Sequence, residues 1–115
     1  MSNLDQLMAQ PGAIGAFKYG SKGELIESRI ADGSGLNESI LDLLCHVCVA
    51  NISIATMQAR GWENMTGMKG FYPIKGFSMI GFEWTVIASD EFGVVLPNDS
   101  TDFEAVQAVL SGQGG

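Results

Sequence analysis

The stretch LNESILDLLCHVCVANISIATMQAR, residues 36–60, decides the fold. At about 100° per residue it reads as one long helix. Leu36, Ile40, Leu43, Val47 and Ile54 fall on one stripe, and Leu41, Cys45, Cys48, Ile52 and Ala59 on a second. The clearly polar arc, with Glu38, Asp42, His46, Ser53, Thr56 and Arg60, covers roughly a third of the circumference. An ordinary surface helix needs an apolar stripe only a little over ~100° wide. Two apolar faces predict two contacts, one with the chain's own sheet and one with another chain. The first stripe is bulky and is assigned to the sheet. The second is low in profile, because Cys45, Cys48, Ala55 and Ala59 are small, and small residues allow close helix approach. Leu41, Cys45, Cys48, Ile52, Ala55 and Ala59 are therefore the expected dimer interface.

The flanks complete an α+β pattern. Asn3, with Gln6 at capping-box spacing, starts a short helix whose apolar side is Leu4, Leu7 and Met8; Pro11-Gly12 ends it. Ala13 to Tyr19 and Glu24 to Ile30 read as a hairpin around Gly20-Ser21-Lys22-Gly23. Gly61 is expected to stop the long helix. Residues 61–76 then form a glycine-rich loop carrying Trp62, Met65, Met68, Phe71 and Tyr72. Phe77 to Gly81 and Phe82 to Ser89 are two paired strands, Val94 to Leu96 is a third, and Thr101 with Glu104 caps a last helix. The order is α-β-β-α-β-β-β-α. Hairpin connections predict an antiparallel sheet with helices covering its faces.

Composition narrows the function classes. The 115 residues fit one domain, residues 1–115, and 46% hydrophobic content supports a core without staples. Six basic residues against 13 acidic give a net charge of −7, which disfavours nucleic acid and anionic lipid as partners. No apolar run approaches the ~18 to 20 residues of a membrane span. The first ten residues lack the pattern of a signal peptide, so a cytoplasmic location is expected.

Several residues invite a chemical reading. Cys45-His46-Val47-Cys48 has the spacing of a redox motif or half a metal site. Redox motifs of this kind place the first cysteine at a helix N-terminus, where the dipole lowers its pKa. Here the pair lies two turns or more inside the helix, and His46 projects about 100° away from Cys45. A closed zinc site would need carboxylates or thiolates pooled from two chains. Packing is the preferred role, and no metal or cofactor ligand is assigned. His46 reads as a solvated helix-face residue near Asp42. The glycine-rich loop lacks both the P-loop and the G-x-G-x-x-G spacing. Its large apolar groups mark a partner surface if exposed, or else a cover over one end of the core. Asp90, Glu91, Asp99 and Asp102 suit turns and a helix start, and no Ser-His-Asp order emerges. No catalytic residue is assigned.

In order and landmarks the chain resembles the roadblock (dynein light-chain) type of domain, within the profilin-like architecture. It looks closest to a small, uncharacterised bacterial branch of that group. The likeness rests on Leu4-Asp5-x-Leu7 with Pro11-Gly12, the cysteine-bearing helix from Cys45 to Asn51, and Gly67-Met68 with Phe71, Pro73 and Gly76-Phe77. It covers nearly the whole chain. The resemblance implies a five-stranded antiparallel sheet, with the long helix on one face and the N- and C-terminal helices on the other. It also implies homodimers joined through the long helix and the neighbouring edge strand, and a scaffold or regulator acting on protein partners, a small GTPase among them. It brings no catalytic residue. The reading is thus a non-enzymatic, homodimeric, protein-binding module. Its alternative is a thiol- or small-molecule-binding accessory protein of a redox or sulfur pathway that uses Cys45 and Cys48. A third reading, an enzyme with a site between subunits, ranks below both.

Overall fold

The computed structural model describes residues 3–110. Its elements are α1 (Asn3–Met8), β1 (Gly15–Tyr19), β2 (Leu25–Ile30), α2 (Glu38–Thr66), β3 (Gly76–Ile80), β4 (Trp84–Ser89), β5 (Phe92–Pro97), a 3-10 turn (Asn98–Ser100) and α3 (Phe103–Leu110). The strands form one antiparallel sheet in the order β2-β1-β5-β4-β3. This is the architecture expected from the pattern of turns and helices.

Side chains alternate across the strands and sort the core into two layers. Ala16, Ile87, Val94 and Leu96 face one side, where Leu4 and Leu7 of α1 and Val106, Val109 and Leu110 of α3 cover them. Phe17, Tyr19, Val86, Ala88 and Val95 face the other, under α2. Close backbone approach fixes the second layer. Gly93 stands opposite Phe17 in the β1–β5 register, and a Cβ there would lie 2.3 Å from the ring. The Tyr19 hydroxyl donates to the Ser89 carbonyl and ties β1 to the end of β4.

Two boundaries differ from the sequence reading. Gly61 does not stop the long helix, which runs on to Thr66 and ends at Gly67 in the left-handed conformation, φ 72°. A helical glycine costs only about 1 kcal/mol, and residues beyond it gain contacts that favour continuation. The last helix is capped one residue later than predicted: Asp102, not Thr101, accepts from the Ala105 N–H at 3.1 Å. Thr101 instead donates to the Pro97 carbonyl at 2.7 Å.

Candidate functional site

The long helix is built on a side-chain cap. Asn37 accepts from the Ile40 N–H at 3.0 Å, and Asp42 accepts from the Leu25 N–H at 2.9 Å, pinning α2 to strand β2. Gly23, with φ +87°, lets the β1–β2 turn press against His46. The His46 Nδ1 lies 2.7 Å from the Asp42 carbonyl.

The two stripes of α2 are exchanged relative to the sequence reading. Leu41, Cys45 and Cys48 are buried against the chain's own sheet, Ile52 packs on the same layer, Ala59 is buried and Ala55 is half-buried. They are not available to a partner. The reason is steric. Phe17, Tyr19 and Phe77 supply the bulk from the sheet side, so the facing helix must be small. Of the bulky stripe only Leu36 joins that layer. Ile40, Leu43 (67% exposed), Val47 and Ile54 (55%) lie roughly half a turn away, with Met57 beside them, and face outward.

This placement favours a packing role for the cysteines. Both thiols are fully buried. Burial pushes each thiol up to about 12, reinforced at Cys45 by Asp42 and at Cys48 by Cys45. A reactive nucleophile must be a thiolate, and burial disfavours that form at both positions. By length and composition α2 could cross a membrane, yet its inner side is packed on the sheet. Its apolar surplus is a face of the folded layer.

The far end of α2 carries the predicted partner residues. Trp62 and Met65 are helical rather than in a loop; Met68, Phe71 and Tyr72 lie in the segment that follows. All five are exposed and none joins either core layer, so they do not cover the core. They are nonetheless held. The Glu63 Oε2 accepts backbone N–H groups from Gly70 (2.9 Å), Phe71 (2.9 Å) and Tyr72 (3.1 Å). Those bonds from Tyr72, Phe71 and Gly70, with Lys69 nearby, hold the Glu63 carboxyl below its ordinary value. Trp62 meets Phe71 edge-on at 6.1 Å. Arg60 donates to the Tyr72 hydroxyl at 2.7 Å and lies over its ring. The loop is therefore a preformed aromatic and methionine surface folded back on the helix. Sequence reasoning missed Glu63 and Arg60 because an acid and a base on a helix surface look like ordinary solvated charges.

Nothing catalytic gathers elsewhere among the described residues. Two adjoining clefts of about 380 and 440 Å³ share Pro73, Ile74, Lys75 and Gln107. The Ser89 hydroxyl at their edge is occupied by the backbone of Glu91 and Phe92. Lys75 and Asp90 provide charge there without an activated nucleophile.

A family model described as an uncharacterized conserved protein, DUF2173, matches residues 3–112. The chain belongs to that family. No curated protein matches it. Among solved structures, this DUF2173 chain shares its fold with a roadblock/LC7 domain from Streptomyces avermitilis: TM-score 0.74, 9% identity, 93% of this chain and 83% of that one. An MglB structure with a tetrameric arrangement aligns at TM-score 0.71 and 14% identity, over 93% and 76% of the two chains. The gliding protein MglB from Thermus thermophilus gives 0.67 and 15%, over the same shares. The DUF2173 chain thus has the roadblock fold. At these identities the likeness concerns fold, and its residues must be read on their own.

Proposed function

We propose that this protein is a non-enzymatic homodimeric scaffold or regulatory module that binds a protein partner, with a small GTPase as the partner class. The observation that carries the reading is the outward stripe of α2: Ile40, Leu43, Val47, Ile54 and Met57 form an exposed apolar ridge opposite the sheet-facing side. Contiguous apolar surface of this kind marks an interface. Strand β3 supports a dimer in the same direction. Among the described residues it pairs only with β4, which leaves its other edge open, and its sequence GFSMI carries no charge. Two copies can lay ridge on ridge and edge on edge. A structural neighbour described in a tetrameric arrangement supports the assembly, and the roadblock likeness supports the partner class. The partner would meet Trp62, Met65, Met68, Phe71 and Tyr72, of which Phe71 and Tyr72 are held by Glu63 before contact.

Sedimentation or sizing at micromolar concentration tests the dimer. The native protein is expected to run as a dimer, and Leu43→Arg and Ile54→Arg as folded monomers with unchanged circular dichroism. Dimers that survive both substitutions overturn the proposed interface. Titration against purified small GTPases, with and without Met65→Asp (Met65 is 87% exposed), tests the partner surface.

A further inference from the structure

The tip of the β3–β4 hairpin presents an aromatic ring on a rigid mount. Gly81, Phe82 and Glu83 join the strands, and the Gly81 N–H donates to the Trp84 carbonyl at 2.8 Å. One residue from beyond β5 braces this turn. The Asn98 side-chain amide donates to the carbonyls of Gly81 (2.9 Å) and Phe82 (3.2 Å). Its Oδ1 accepts from the Thr85 hydroxyl at 2.6 Å, and its backbone N–H donates to the Glu83 carbonyl at 2.9 Å. On that mount Phe82 is 98% exposed, more than any other large apolar side chain among the described residues. Ile80 and Trp84 on either side are exposed as well.

No residue of this turn is left-handed, so its backbone does not dictate the side chain, and the fold gains nothing from a phenyl ring in water. A braced turn also has little freedom left to lose on binding, and a fixed exposed aromatic is the usual anchor of an interface. The surrounding charge says what kind of surface it fits. Glu83 is exposed within the turn itself, and Asp99, also exposed, follows the bracing Asn98. Phosphate backbones and anionic lipid are repelled there. A basic rim is attracted.

We propose that the hairpin tip is a second protein-docking site, at which Phe82 enters an apolar socket of a partner protein whose rim carries lysine or arginine facing Glu83 and Asp99. The site is built from the β3–β4 turn and Asn98 and uses no residue of the α2 ridge. A photoreactive benzoylphenylalanine at position 82 tests it in the producing cells, with the crosslinked peptide sequenced. The ring is solvent-exposed, so the replacement leaves the melting temperature unchanged. The expected adduct is on a different protein, at an apolar segment flanked by lysine or arginine. Its yield falls about fivefold or more with Glu83→Lys, as loss of charge complementarity requires, and persists with Leu43→Arg. Adducts found only on a second copy of this chain, only on lipid, or on no macromolecule overturn the proposal. So does a protein adduct whose yield Glu83→Lys leaves unchanged. Asn98→Ala gives a second measure: the yield falls while the exposure of the ring stays the same.

Discussion

At Glu63, one carboxylate oxygen replaces the backbone partners that three consecutive loop amides would otherwise lack. Because the folded carboxyl is held below its ordinary value, its contribution is fully present above the ordinary carboxylate pKa. It is lost as pH falls through the lowered folded value. Amide hydrogen exchange at Gly70, Phe71 and Tyr72 is therefore expected to lose protection only as pH falls below the ordinary carboxylate range, and before the sheet does. In Glu63→Ala that protection is absent at every pH, and protection that persisted would show the bonds to be incidental. Gly93 makes a different demand. A methyl group at that position meets the buried Phe17 ring at 2.3 Å, so Gly93→Ala is expected to cost about 1–3 kcal/mol by chemical denaturation. Neither dependence is legible in sequence. A glutamate followed by a glycine loop has no spacing rule, and Gly93 is indistinguishable from a turn glycine until the register with Phe17 is known.

At the scale of elements, α2 shows where pattern reading stops. Its helical period, its two apolar stripes and the excess of apolar surface were all legible between Leu36 and Arg60. Which stripe met the sheet was not, because that choice depends on Phe17, Tyr19 and Phe77, which the strands bring opposite the helix. Complementary volume decided it, and volume is a property of both surfaces together. The same packing sets a pH response. Cys45 and Cys48 are raised from 9.0 to about 12 by burial, and burial also raises Tyr19. Groups whose folded pKa is raised contribute fully below the unfolded value and lose that contribution as pH climbs toward the folded one. The protein is expected to weaken between about pH 9 and 12. Paired substitution Cys45→Ala and Cys48→Ala should flatten that part of the curve, measured against the variant's own stability at neutral pH. Native thiol labelling is expected to be slow and to accelerate only under conditions that open the helix–sheet layer; rapid labelling at neutral pH would contradict the packing role.

For the whole molecule, element order and the antiparallel sheet type followed from turn residues and periodicity. Strand order, and with it the identity of the two edges, came from the structure. Those edges are unlike. β3 is uncharged and open, whereas β2 carries Glu27 and Arg29, paired at 2.9 Å, with Arg29 also bonded to Asp5 at 3.2 Å, and Asp42 already occupies the Leu25 N–H. Charged side chains on a border strand discourage further strand addition. Replacing both Glu27 and Arg29 by valine is expected to raise light scattering with concentration, while the single sheet fold survives. The asymmetry has a consequence for growth. A subunit with two receptive borders can add neighbours without limit and draw out into a fibre; one with a single receptive border is used up by its first partner. In the proposed dimer the β2 charges would act as a terminator, letting assembly begin at β3 and closing it there.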